Sequence, residues 1–425
     1  MKSPGFAQRF PLSKIFVVLL SLIFVVFISS CTQNESTDQV AELPSDQEVT
    51  QTIRAQLDAT TQIPSDSISI ETQDGIVTLS GGIDNLLVKK EANKIAQSTY
   101  GVLAVVNQLK IEASRPDDAV DKDVDTAIST DAAMESWKIT SQVNNGIVTL
   151  EGVVDTWQER QLVATVASGV KGVKGINNNL VVNYDQSRTD EEIKAEVEQR
   201  LKMNSQVNSN MIKVDVTDGN VTLTGAIGSA YEKSLAQDLA RVTGVKSVAA
   251  DRLEVHPEYD NAMFSTEKIE TLTADQVREA IVSTFRYDPR VPEDKVSVQI
   301  ENNTAILEGS VVNLNSKLAA ESDARNTAGV NEVINNIEVE HKIVVEPGVP
   351  TTDEAITQRL ANAIDRDPYV EKTAVTLKVE GGLAKIDGTV NSQFEKEQLN
   401  KIASNVKGVI AINNSVEVTA GGQDT

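Results

Sequence analysis

Apolar residues recur along this chain in five copies of one order. Each copy opens with apolar positions spaced i, i+4, i+8: Val49, Ile53, Leu57; Val120, Val124, Ile128; Ile193, Val197, Leu201; Val277, Ile281, Phe285; and Ile356, Leu360, Ile364. That spacing puts one stripe on an amphipathic helix of about three turns. Two short runs with a period of two follow, such as Ile68 and Ile70 then Val77 and Leu79, or Ile212 and Val214 then Val221 and Leu223. Alternation of this kind marks half-buried strands. The second copy is weaker there, with Ser141 following Ile139. Between the runs, Asn144-Asn145-Gly146 and Asp218-Gly219 have the chemistry of a tight hairpin turn. A second helical stripe, clearest at Leu235, Leu239 and Val242, and a last strand complete the unit.

Two glycine marks keep the copies in register. The second strand of each hairpin lies in a Gly-x-Val-x-Leu-x-Gly signature closing on Gly81, Gly152 and Gly225, with degenerate forms closing on Gly309 and Gly388. A Gly-Val pair follows each, at Gly101, Gly172, Gly244, Gly329 and Gly408; the two marks are 20, 20, 19, 20 and 20 residues apart. The closing glycines are expected to serve the turn. The later ones are expected to end the second helix, since glycine takes the left-handed cap conformation freely. Helix starts are also marked: Ser45 with Glu48, Thr189 with Glu192, Thr273 with Gln276 and Thr351 with Glu354 fit capping boxes. The second copy opens instead with Pro116 and aspartates. Acidic first turns favour the helix dipole, so much of the acidity has a structural account.

Helix, strand, strand, helix, strand in each copy predicts an α+β chain, a tandem array of five small two-layer α/β sandwiches. The residues divide as a leader over 1–30, a tether over 31–45, repeats over 46–112, 116–184, 188–255, 273–341 and 351–418, and a linker over 256–272. The closing glycines are 71, 73, 84 and 79 residues apart, which predicts a close trio followed by two more loosely jointed repeats.

Composition changes the picture in two ways. A net charge of −23 argues against a nucleic-acid partner, which would need cations to displace phosphate counterions. At the N-terminus, Lys2, Arg9 and Lys14 precede a mostly apolar run, Ile15 to Ile28, and then Ser29, Ser30 and Cys31, the chain's one cysteine. A run of that length suits a signal peptide better than a membrane span, although an uncleaved anchor over residues 12–30 is the alternative. The segment resembles a lipoprotein signal peptide, which implies cleavage before Cys31 and acylation there. Thr32, rather than Asp, at the next position favours the outer membrane by analogy with enterobacterial sorting. Removing three positive charges with the leader leaves the mature chain at −26.

Chemistry of the catalytic kind is hard to find. His256 and His341 each end a repeat without a nucleophile or acid recurring beside them. Asp121-Lys-Asp-Val-Asp125 opens like a calcium loop but has Thr126 and Ala132 where glycine and glutamate are required. No glycine run matches a phosphate loop. The expectation is no enzyme, no metal and no cofactor.

The element order, the Gly-x-Val-x-Leu-x-Gly signature and the Gly-Val mark together resemble the BON (bacterial OsmY and nodulation) domain. That resemblance implies a non-enzymatic envelope protein that binds phospholipid membrane or envelope assemblies and supports envelope integrity or stress tolerance. A periplasmic protein-interaction scaffold is the alternative. Every repeat is net acidic, from −2 in the third and fifth to −6 in the fourth, and acidic surfaces are repelled by anionic headgroups over about 8 Å at physiological salt. Contact with lipid or a partner protein is therefore expected to be local, through Lys194, Arg200, Lys202, Lys396, Lys401 and Lys407, with Trp137 and Trp157 as candidate aromatic contacts.

Overall fold

The computed structural model describes residues 43–60, 65–83, 85–112, 115–131, 138–184, 188–258, 272–340, 352–370 and 375–419. The leader, Cys31, Trp137 and His341 lie outside them.

The leading helices Asp46–Ala59, Asp117–Thr130, Asp190–Met203, Ala274–Tyr287 and Asp353–Arg366 each run 14 residues and bury the stripes read from the sequence. Capping boxes form at Ser45, Thr189 and Thr273. In the fifth repeat the cap is Thr352, one residue later than expected. The shift places Asp353 at the first helical position, where its carboxylate accepts from the backbone N–H groups of Gly381 and Gly382 at 2.8 and 3.2 Å. The same clasp of leading helix to hairpin turn is made by Asp46, Asp117 and Asp190. The fourth repeat has Ala274 at this place; there Asn303 stands in the turn and donates through Nδ2 to the Gly329 carbonyl, 2.8 Å away.

Each hairpin's second strand is central in its sheet. In the first repeat Ile76–Ile83 pairs antiparallel with Ile68–Gln73 and parallel with Ala104–Ile111, and all five repeats share this order. Parallel pairing requires a crossover, which the trailing helices Leu86–Ser98, Trp157–Ser168, Ala230–Leu239, Leu314–Arg325 and Gln393–Ser404 supply. Residues at both central turn positions have positive φ, from Asp74 at 51° and Gly75 at 72° to Asn302 at 50° and Asn303 at 64°. Two left-handed residues define a type I′ turn, so the fourth hairpin keeps its shape although asparagine replaces glycine.

Four of the last strands are tied to their trailing helix by one asparagine. Asn107, Asn178, Asn335 and Asn414 donate through Nδ2 to the carbonyls of Lys89, Arg160, Lys317 and Lys396, and accept from the backbone two residues on. In the third repeat the corresponding residue is the buried Ala250, and that strand slips register between Ala249 and Arg252.

Neither glycine mark sits where expected. Gly81, Gly152, Gly225, Gly309 and Gly388 lie at the open end of the hairpin, opposite the first residue of its first strand, and not in the turn. The glycine of each Gly-Val pair does not cap the trailing helix. That helix ends at Ser98 in the first repeat, and Gly101 is the third residue of a turn that Val102 N–H closes on the Thr99 carbonyl at 3.2 Å. A left-handed residue at that position suits a type II turn. A Cβ on Gly408 would stand 2.8 Å from Ile356 Cδ1, so the turn rests on the first stripe residue of the leading helix.

Each repeat has its own aliphatic core, but the cores touch across repeat boundaries. Tyr287 of the fourth repeat is buried in the core of the third, Leu86 of the first packs on the second, and Tyr369 of the fifth packs on both its own core and that of the first. The fourth and fifth repeats are thus docked rather than loosely jointed.

Candidate functional site at the repeat junctions

Small cores leave aromatic and cationic side chains for the surfaces between repeats, and the junctions collect them. Between the second and third repeats, Trp157 begins a trailing helix capped by the Thr156 side chain. Its indole Nε1–H donates to the Val245 carbonyl at 3.1 Å, and Gln158 Nε2 donates to the Arg241 carbonyl at 3.0 Å. The guanidiniums of Arg241 and Arg160 lie 4.5 and 4.7 Å from its ring centre, within cation–π range.

Between the third and fourth repeats, Tyr287 closes the leading helix and lies under Arg200, whose guanidinium is 4.3 Å from the ring centre. Its hydroxyl donates to Glu196 Oε1 at 2.7 Å, and Glu196 also pairs with Arg188. Arg200 donates to the Leu239 carbonyl at 2.9 Å, and burial is the first cause of its lowered pKa. Backbone bonds add to this: Ala328 N–H donates to the Met203 carbonyl at 2.7 Å, and Ser205 N–H to that of Asn326 at 2.9 Å.

A cavity of about 490 Å³ opens where the second, third and fourth repeats meet, with Asp288, Arg290 and Asp323 in its wall. Arg290 holds Asp288 through a fork, Nε to Oδ1 at 2.9 Å and Nη2 to Oδ2 at 2.5 Å. Burial, and then the Asp288 carboxylate, push the pKa of Asp323 well above the ordinary carboxylate range. Asp323 Oδ2 is buried without a hydrogen-bond partner, and a proton there would have Asp288 as acceptor.

The cations singled out in the sequence do not share one face. Lys194 is half-buried and pairs loosely with Glu198 at 3.9 Å; Lys202 is exposed on the same helix. Arg200 and Trp157 are spent on junctions within the chain. Lys396 donates to the Val416 carbonyl at 2.7 Å inside its own repeat. Lys401 and Lys407 line a cleft between repeats.

The residues with catalytic or metal overtones have local partners. His256 is exposed between Glu258 and Glu254, whose hydrogen bonds, Glu258 first, raise its pKa. Asp121 and Asp125 lie within 3.0 and 2.8 Å of the Ser141 hydroxyl, the polar residue that weakened the second repeat's strand pattern. Among the described residues no group of acidic, histidine or cysteine side chains could hold a metal ion, and no helix is long and apolar enough to cross a membrane. Sequence reading missed Tyr287, Asp323, Glu196 and Asn335. Only the asparagines left a signal, six residues beyond the Gly-Val glycine in four copies.

The description "BON domain" matches the sequence at residues 45–113, 116–184, 189–257, 273–341 and 352–420. The chain belongs to the BON domain family. Its BON repeats are 26% identical over 155 residues to Osmotically-inducible protein Y of Escherichia coli, covering 35% of this chain and 77% of that protein. They are 25% identical over 137 residues to Outer membrane lipoprotein DolP of Haemophilus influenzae, covering 31% of this chain and 71% of that protein. Among solved structures, the C-terminal domain of CdsD, a structural protein of the Chlamydia trachomatis type III secretion system, is similar at 17% identity and a TM-score of 0.14, covering 48% of this chain and 96% of that one.

Proposed function

We propose that this BON array is a non-enzymatic lipoprotein of the bacterial outer membrane, facing the periplasm, that binds phospholipid membrane or envelope assemblies and supports envelope integrity under stress. What carries the reading is family membership together with likeness to an outer-membrane lipoprotein and an osmotically inducible protein. The leader sequence supports the address, with acylation assigned to Cys31. Several acyl chains at about 0.8 kcal/mol per buried methylene would hold the chain in a leaflet. With every repeat net acidic, membrane contact is confined to local cationic faces such as that of Lys194 and Lys202.

Fractionation of a Cys31→Ala variant tests the anchor: release from the membrane fraction is expected, and retention would refute acylation at Cys31. Flotation of the mature chain with anionic and zwitterionic vesicles tests headgroup binding, and failure to float with either would remove it. The second reading, a protein-interaction scaffold without lipid specificity, is favoured by one observation. Neighbouring repeats already bury Tyr287 and partly cover Trp157, so a BON face of this chain can receive another BON face. A stoichiometric partner in envelope pull-downs, without flotation, would decide for it.

A further inference from the structure

A second cavity, about 290 Å³, lies where the first, second, fourth and fifth repeats converge. It is smaller than the one beside Asp323 but differs in chemistry. Its lining includes an apolar part, Leu162 and Val166 from the second repeat and Ile402 and Val406 from the fifth. The same lining carries Arg290, Arg359, Arg366, Lys401 and Lys407, against Asp131 and Asp367 alone of the opposite sign. In a chain of charge −23 that concentration runs against composition.

Internal pairing leaves part of this charge in the cleft. Arg290 is committed to Asp288, and Arg359 donates to the Lys407 carbonyl at 3.2 Å. Arg366 and Lys401 make no ion pair within 4 Å among the described residues, although Asp123 and Asp365 act on Arg366 from a longer range. A further cation stands beside them: Lys90 donates to Ser168 Oγ at 2.8 Å across the first junction. Desolvation and then the like charge of Lys401 lower its pKa. Asp367 does act on Lys401, but it is one carboxylate, buried and held by Gln398 Nε2 and Tyr369 N–H at 2.7 and 2.8 Å, so cations still outnumber anions in the lining. Like charges brought together beside an apolar lining repel one another unless an anion joins them.

We infer that this cleft binds one anionic single-chain amphiphile per protein, its phosphate head held by Arg366 and Lys401 and its chain on the apolar lining of Leu162 and Ile402. The apolar lining argues for a tail, and the volume, at the lower limit of small-ligand sites of about 300–1,000 Å³, argues against two chains. The site needs four repeats at once and is distinct from the docking of any one repeat on a membrane.

Titration of the mature chain with lysophosphatidylglycerol below its micelle concentration tests this without any vesicle, so its outcome is separate from flotation. One-to-one saturable binding is expected, at least about tenfold tighter than lysophosphatidylcholine or inorganic phosphate. The Arg366→Gln/Lys401→Gln variant should lose at least about tenfold, and Arg366→Lys/Lys401→Arg should recover most of it. Leu162→Gln, at a partly exposed lining position, should weaken the lysolipid but leave phosphate unchanged. Circular dichroism confirms that each variant is folded. Equal affinity for the zwitterionic lipid, phosphate binding as tight as lipid binding, or full binding by the folded double glutamine variant would each overturn the assignment.

Discussion

Replacing Gly225 with alanine separates two reasons for a glycine at the close of each hairpin signature. Its φ is +117°, and a Cβ there would stand 2.0 Å from the Met211 carbonyl oxygen. The same 2.0 Å approach occurs at Gly81, Gly152 and Gly309, against the carbonyls of Ser67, Lys138 and Lys295. That carbonyl is not free to recede. Ile212, next to it, pairs with Gly225 in the first rung of the hairpin, and Met211 ends the short turn Ser209–Met211. Holding a side chain in this region of φ costs about 1–3 kcal/mol, and moving backbone to relieve the overlap adds about 1–3 kcal/mol. A domain of this size commands about 3–10 kcal/mol in all, so the substitution removes a major share. Gly381→Ala is the matched control: its φ is +56° with nothing within 4 Å of the added carbon, leaving only the left-handed cost of about 1–2 kcal/mol. Hydrogen exchange on the full chain reads both, in the amides of Val221 to Ile227 and of Leu383 to Val390. Protection should fall at least about tenfold further for Gly225→Ala, a difference of about 1.4 kcal/mol. Equal losses would refute the steric argument and leave backbone conformation as the whole cause.

Three other experiments probe the clasps and junctions. Asp190→Ala should destabilise the third repeat by about 1–3 kcal/mol, because the Asp218 and Gly219 amides lose their acceptor; unchanged exchange of those two amides would contradict the clasp. A double-mutant cycle of Trp157→Ala with Arg241→Gln should return a coupling of about 0.5–2 kcal/mol in unfolding free energy, and additivity would deny the cation–π contact. Asp323→Asn should raise stability at neutral pH and flatten its pH dependence. The folded pKa of Asp323 is raised, so the stability it allows is fully present below the unfolded value of about 3.9 and is lost as pH rises through the folded value. A variant whose stability still fell along the wild-type curve would place the titration elsewhere.

The interior of each repeat was legible because its signals are local. Apolar spacing of four fixed the leading helices, alternation fixed the hairpins, and left-handed turn residues fixed the joins. The limits are as instructive. Asp46, Asp117, Asp190 and Asp353 read as favourable charges in a first helical turn, yet each also holds a hairpin about 28 residues downstream. Nothing near an aspartate in sequence announces that second partner. Only comparison of copies does, through the joint change to Ala274 and Asn303 in the fourth. The junctions were less legible still. Arg200 and Trp157 look like surface contacts because their neighbours in sequence are polar, while the surfaces that cover them, Tyr287 and the Val245 turn, lie 87 and 88 residues away. Linker length likewise suggested looseness for the last two repeats, whereas Tyr287 and Tyr369 dock them on the third and first.

That docking bears on how a ligand could act on the whole array. Cores this small are marginal in isolation, so the contacts of Tyr287 and Tyr369 with neighbouring repeats are part of what keeps each repeat folded. The cationic cleft is built by four repeats, and separating any of them removes part of its wall. An occupant therefore stabilises the assembled arrangement by mass action, by about 2.7 kcal/mol at a free concentration one hundred times its dissociation constant. The repulsion between Lys90 and Lys401 acts in the opposite direction when the cleft is empty. Amphiphile supply would in this way set how firmly the fifth repeat holds to the first and second, without changing any single BON fold.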